Sequence, residues 1–300
     1  MKHLVNGLRR ALLVAFVALP FSVTADNHNA KSPSYQTVEV TENIWMLQGK
    51  GGNIGVFTGD QGTVLIDDDY QDMSDALKTA LKTFGGVDSL NYIINTHWHA
   101  DHTQGNLALG GKVPIVAHNN VRTRLLSSQE IKLFKMVSEP YPVEAVPSIT
   151  YSQKMTLHIN GETIEIVHFP NGHTDGDSVI FFRNANVVHM GDHFFSGFFP
   201  FVDIGSGGNV GQMATNVASV LSMITEDTKI IPGHGPLSKK SDLEAFHGML
   251  VGTSKEVSDM KKQGLSLEAI LAEGLSEQWK PWAKGFLPEK VWINLVYHSL

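Results

Sequence analysis

From Tyr35 onward the chain alternates short apolar runs with polar breaks. TVEV, IWML and NIGVF read as strands. A fourth run, GTVLID at 62–67, is stopped by three consecutive acids, Asp67, Asp68 and Asp69. Residues 72–84 place apolar side chains at helical spacing and end in Gly85-Gly86, a helix stop. NYIIN at 91–95 reads as a short buried strand leading into a histidine-rich loop. VPIVAH at 113–118 reads as another strand, and 119–136 as a helix. Residues 137–150 hold three prolines and little periodicity, the pattern of a loop.

The second half repeats this grammar. KMTLHIN and ETIEIVHF are strands joined by Asn160-Gly161, a strong hairpin turn. SVIFF and NVVHM predict another pair, residues 209–224 a helix, 229–231 a strand and 239–263 a long helix. The remainder to Leu300 reads as helical. Strands followed by strand–helix units occur twice, which predicts two sheets packed face to face with helices outside. The expected division is a single domain over 36–300, with halves at about 36–150 and 151–240 and helices at 241–300.

Composition narrows the function. Of 300 residues, 42% are hydrophobic and 18% charged, the balance of a folded chain with a large core. There is no cysteine, which removes disulfides, thiolate zinc sites and cysteine nucleophiles together. The formal charge of −7 disfavours a broad nucleic-acid face. Residues 1–10 carry Lys2, Arg9 and Arg10, residues 11–23 carry no charge, and Thr24-Ala25 supplies a small-residue site. This is the pattern of a signal peptide cut after Ala25, followed by a disordered stretch at 26–35. Thirteen apolar residues are too few to cross about 30 Å of hydrocarbon, so no stable membrane insertion is expected after cleavage. The mature chain would carry −10 and be periplasmic or secreted.

The candidate chemistry sits after the strands. Asn95–His102 contains His97, His99, Asp101 and His102. His97 and His99 are two apart and project to the same side of an extended segment. Imidazole with carboxylate suits zinc and similar cations. His173 (NGHTDGD), Asp192 (MGD) and His234 (PGHG) each lie on a glycine-bearing loop immediately after a strand. A lone histidine or aspartate in a turn is usually just solvated; the repeated placement raises all three together.

These motifs, H-x-H-x-D-H, G-H-T-x-G, G-D and P-G-H-G in that order, resemble those of the metallo-β-lactamase superfamily of metallohydrolases, over about residues 36–240. The resemblance implies an α/β fold, a four-layer αββα sandwich of two mixed sheets with outer helices and a two-metal site at one rim. It implies that His97, His99 and His173 hold one Zn²⁺, that Asp101, His102 and His234 hold a second, and that Asp192 bridges them. Asp67 matches the family's acidic position that orients a ligand imidazole. Two zinc ions about 3.5–4 Å apart that share a hydroxide would supply a nucleophile without serine or cysteine. Asp101 would orient it and accept its proton. Hydrolysis of an ester, lactone, amide or thioester follows.

The branch is harder to read. Aspartate at 192 resembles the glyoxalase II, lactonase and nuclease members, whereas typical β-lactamases carry cysteine or serine there. No obvious basic cluster for glutathione follows, and the negative charge does not suit a nuclease. A β-lactamase, an iron-dependent oxidoreductase of the same fold, and a metal-binding module without catalysis stand as alternatives; iron or manganese remain open as the metal. FFSGFFPFVD at 194–203 holds five phenylalanines. With Trp98, residues Phe195, Phe198 and Phe199 are candidates for an apolar substrate wall, or else core packing. They suggest a small-molecule substrate of hydrophobic or aromatic character. His168, His189 and His193 crowd the same strand ends, and His193 is a candidate support for the ligands from behind.

Overall fold

Most strands of this chain carry apolar side chains on both faces, so each sheet must be covered on both sides. In the computed structural model, which describes residues 33–300, that requirement is met by four layers. The signal peptide expected at 1–25 and residues 26–32 lie outside the described residues. Tyr35, at the end of the stretch expected to be disordered, donates from its hydroxyl to Asp69 at 3.0 Å.

The first half supplies β1 (Gln36–Glu39), β2 (Ile44–Gln48), β3 (Ile54–Gly59), β4 (Gly62–Ile66), β5 (Leu90–Ile94) and β6 (Ile115–His118). A hairpin of β7 (Gln129–Ile131) and β8 (Met136–Ser138) follows, then β9 (Ile149–Tyr151). The first sheet has the order β1-β2-β3-β4-β5-β6-β9, antiparallel to β4 and parallel beyond it. The second half supplies β10 (Lys154–Ile159), β11 (Glu162–His168), β12 (Ser178–Phe182), β13 (Val187–His189), β14 (Lys229–Ile231) and β15 (Ser238–Lys239), which pair in sequence order.

Side-chain alternation assigns the layers. Phe57, Val64, Ile66 and Ile94 of the first sheet meet Ile164, Ile166, Ile180 and Phe182 of the second in one buried cluster. The intervening Val56, Leu65 and Ile93 face outward onto α1 (Ser74–Leu81) through Leu77 and Leu81. On the other side, Val179, Phe181 and Val188 pack under the later helices. The chain is therefore an αββα sandwich, as expected.

Local rules explain the bounds. Asn160 and Gly161 both take positive φ, +53° and +73°, the turn that a two-residue hairpin requires. Two short helices follow β5, α2 (Ala100–Thr103) and α3 (Asn106–Leu109). The helix expected over 119–136 is α4 (Asn119–Leu125) alone. The Ser127 hydroxyl turns back onto the Thr123 carbonyl at 3.1 Å, and Lys135 takes a φ of +52°, so the rest becomes the β7–β8 hairpin. The loop expected at 137–150 runs into β9, whose partner is β6, 33 residues earlier at Val116↔Ile149. Local periodicity carries no trace of such a pairing. The second half closes with α5 (Val210–Met223), α6 (Lys240–Lys262), α7 (Leu267–Glu273) and α8 (Glu289–Ser299). No helix among the described residues is long and apolar enough to cross a membrane.

Candidate active site

Each predicted site residue follows a strand, and all the strands point their C-terminal ends to one rim. Asp67 ends β4; His97, His99, Asp101 and His102 follow β5; His173 follows β11; Asp192 follows β13; His234 follows β14. The structure brings them into two groups. His97, His99, His173 and Asp192 form one, and Asp101, His102 and His234 the other.

Hydrogen bonds orient four of the rings, those of His97, His99, His102 and His173. Asp67 is fully buried, and its Oδ2 accepts from the Thr96 hydroxyl at 2.7 Å and from His102 Nδ1 at 2.8 Å. With its proton given to Asp67, Thr96 Oγ1 accepts from His97 Nδ1 at 3.0 Å. His173 Nδ1 donates to the Phe201 carbonyl at 2.8 Å, and His99 Nε2 donates to Asp203 at 3.1 Å. The opposite nitrogens therefore carry lone pairs, and they converge. His173 Nε2 stands 2.8 Å from His99 Nδ1, and His97 Nε2 stands 3.2 Å from the same atom. Lone pairs this close repel unless a cation or a proton lies between them.

Asp192 joins the two groups. Its Oδ2 lies 3.3 Å from His173 Nε2 and 3.8 Å from His97 Nε2. Its Oδ1 lies 3.1 Å from His102 Nε2 and 3.4 Å from His234 Nε2. That buried Oδ1 receives no hydrogen bond. A buried carboxylate oxygen without a donor is costly, and a cation would satisfy it. The donor set thus fits two cations.

The electrostatics agree. Burial opposes ionisation of Asp192, but His234, His102, His173 and His97 around it hold its pKa well below the carboxylate range. Asp101 is likewise disfavoured by burial yet held down to about 2 by His102 and His234. Burial alone would lower the pKa of His102, while Asp192, Asp101 and Asp67 raise it well above that of free imidazole. His173 is depressed to about 4, mainly by burial. His97 and His173 are therefore held neutral, whereas His102 and His234 tend to keep a proton until a cation replaces it.

Backbone stitching across the sheets sets the geometry. Asn53, next to β3, donates from Nδ2 to the carbonyls of Pro232 and Gly235, both at 2.9 Å, pinning the His234 loop. A β-carbon at Gly233 would collide with Asp192 Oδ1, and one at Gly52 with the His102 imidazole. Glycine lets the chain approach the cluster there.

A cavity of about 460 Å³ opens over this rim. Trp98 and Phe195 line it, with Asp101, Asp192 and His234 at its base. Tyr70 lines it too; burial, then Asp101, raise its pKa, so its phenol remains a hydrogen-bond donor. Phe198 and Phe199 do not line it, contrary to expectation. Phe199 is fully buried and stacks on Trp292 with ring centroids 5.4 Å apart, and Phe198 sits behind Phe195 at 5.9 Å. The FFSGFFPFVD segment alternates direction, so only some of its rings face the cavity. His193 also differs from expectation: it bonds Asn216 at 3.0 Å and none of the seven clustered side chains. Its ring fills the space behind Gly172. Asp203, which holds His99, was missed because its partner lies 104 residues away. His189 holds the Asp192 turn by accepting from Gly191 N at 3.2 Å and donating to the Asn53 carbonyl at 3.1 Å.

The metallo-beta-lactamase superfamily profile matches residues 47–235. The chain belongs to this superfamily, and its rim gathers seven side chains suited to holding metal ions. A beta-lactamase-like protein 2 homolog of Caenorhabditis elegans is 23% identical over 181 residues, 59% of this chain and 53% of that protein. The chain thus spans about half the length of that curated relative. Among solved structures, the stereoselective inverting sec-alkylsulfatase Pisa1 from Pseudomonas sp. superposes with a TM-score of 0.66 at 17% identity, covering 88% of this chain and 50% of that one. A metallo-beta-lactamase from Pontibacter korlensis gives 0.58 at 17% identity, covering 73% and 99%. At such identities these likenesses speak for the fold.

Proposed function

We propose that this protein is a dinuclear zinc hydrolase that cleaves an ester, lactone, amide or related acyl bond of a small molecule. The observation that carries the reading is Asp192, whose two oxygens face different groups of imidazole nitrogens. His97, His99 and His173 would hold one cation, Asp101, His102 and His234 the other, with Asp192 between them. Bound there, the cations would supply an activated water and a Lewis acid for the oxygen of the scissile bond. The chain's own groups do the rest. Asp101, kept ionised, orients the attacking water and accepts its proton at a carboxylate oxygen. Tyr70 donates from its phenol into the cavity. Asp67 and Asp203 hold His102 and His99 in the tautomers that bare their inward nitrogens. The pattern at 1–25 adds export to the reading, tested by N-terminal sequencing of the mature protein.

The experiment is metal analysis paired with a hydrolysis screen over aryl esters, lactones, a glutathione thioester, nitrocefin and a carbapenem. About two zinc per chain, with chelator-sensitive turnover of one class, is expected. One iron per chain with oxygen uptake and no hydrolysis would overturn it.

A further inference from the structure

The cavity has a second end that the metal chemistry does not use. Two chains of aromatic rings leave the histidine cluster. From His99 the next ring is Phe201 at 5.7 Å, and then Phe134 at 4.8 Å. From His234 the next ring is Phe195 at 4.9 Å, and then Phe286 at 6.1 Å. The two tracks meet where Phe134 and Phe286 lie 6.4 Å apart. Phe134 comes from the β7–β8 hairpin, and Phe286 from the segment before α8. The hairpin adds Ile131, Met136 and Val137 to the same wall.

Three observations make this a subsite rather than ordinary packing. The rings at the meeting point stay open to solvent, with Phe134 38% and Phe286 52% exposed, and Val137 beside them is 62% exposed. A contiguous exposed apolar patch of this kind marks a place where something binds. It is continuous with the metal rim, since Trp98, His99 and Asp192 line the same cavity. And it is uncharged: among the described residues that line the cavity the only lysine or arginine is Lys50, whose ammonium already pairs with Asp72.

We propose that the Phe134–Phe286 end of this cavity binds the uncharged alkyl or aryl part of the substrate, so that the enzyme selects acyl compounds by their apolar tail rather than by an anionic group. The proposal rests on the hydrolase reading for the placement of the scissile bond at the rim. The tail lies between the hairpin and the Phe286 segment while the reacting carbonyl reaches the cations.

The test uses full-length, zinc-loaded enzyme and p-nitrophenyl esters from acetate to octanoate. Burial of each methylene is worth up to about fourfold in kcat/KM, so the wild type should rise steeply along the series. The Phe134→Ala, Phe286→Ala double variant should lower the octanoate-to-acetate ratio on the order of tenfold or more. Phe134→Leu should restore part of the slope, since size and apolarity matter more than the ring. Val251→Ala, an exposed apolar position on α6, should leave the slope as it is. Unchanged slopes in the double variant would overturn the subsite while leaving the hydrolase standing. If no ester turns over, it is the ester branch of the hydrolase reading that fails, and calorimetry with n-butanol, n-hexanol and n-octanol reads the subsite alone. Affinity should climb with chain length and weaken in the double variant; equal binding by both proteins would overturn the proposal. A wild-type dimer that the double variant turns into a monomer, with slopes unaltered, would assign the patch to a second copy of the chain and also overturn it.

Discussion

The two ends of the cavity are built on opposite plans. At the rim His97, His99, His102 and His173 are buried, and the outer nitrogen of each is tied to a carboxylate, hydroxyl or carbonyl. At the mouth, β7 and β8 share a ladder of three residue pairs, and Met136 and Val137 of β8 face water. The rim cannot move without leaving buried polar groups unpaired. The mouth loses little by moving, because few buried contacts hold it. A site of this design would fix the reacting atoms and let the remainder of a substrate vary.

The sharpest way to break the comparison is at Asp192. Asp192→Ala should lower kcat/KM on the order of 1,000-fold and release metal from both groups, as read by metal analysis after dialysis. A variant that kept both metals and most activity would show that the two groups are not joined through this carboxylate. Next in size is pH. His189 is depressed to about 4 and His193 to about 3, each chiefly by burial. Both folded values lie below the unfolded 6.5, so the stability they contribute is whole above pH 6.5 and is lost as the pH falls toward 4. For His189 alone this is about 3 kcal/mol. Melting of chelator-treated protein should drop through that window, and His189→Gln should flatten the drop. A constant melting temperature from pH 7 to 4 would contradict it.

The rim was largely legible in the sequence and the mouth was not. His97, His99, Asp101 and His102 announce themselves because a single loop carries four donors, and His173, Asp192 and His234 because each follows a strand with glycine beside it. Asp203 was hidden because a carboxylate that orients a ligand needs only spatial closeness to His99. At the mouth, LSSQEIKLFKM reads as helix because its apolar spacing suits one. The Ser127 hydroxyl and the left-handed Lys135 decide otherwise, and local spacing does not weigh them. Phe286 and Phe134 lie some 150 residues apart and meet only in the folded chain. Phe198 and Phe199 looked like pocket residues because composition cannot say which way consecutive rings point.

Asp67 offers a smaller test of the rim. Through Thr96 and His102 it orients one imidazole in each group. Asp67→Ala should therefore weaken zinc binding 10- to 100-fold at both positions in chelator competition. Of the clustered imidazoles Asp203 bonds His99 alone, so Asp203→Asn should weaken the His97–His99–His173 position selectively. Equal losses in the two variants would mean that the groups are not independently supported.

The smallest effect is expected where rim and mouth are joined. Arg124 on α4 grips Asp175 of the His173 loop with Nε at 2.7 Å and Nη2 at 2.8 Å, and its Nη1 reaches Gln129 at the root of the hairpin at 2.9 Å. Lysine cannot reproduce this fork, so Arg124→Lys should act much like Arg124→Ala. The pair is partly solvated, and its loss should cost about 1 kcal/mol or less overall. That cost should fall unevenly. Hydrogen exchange should quicken across 129–138 while the amides of 97–102 keep their protection, because the rim is held by Asp67 and Asn53 independently of Arg124. Equal acceleration in both segments would show that the hairpin is part of the rigid frame, and the distinction between a fixed rim and a yielding mouth would fall with it.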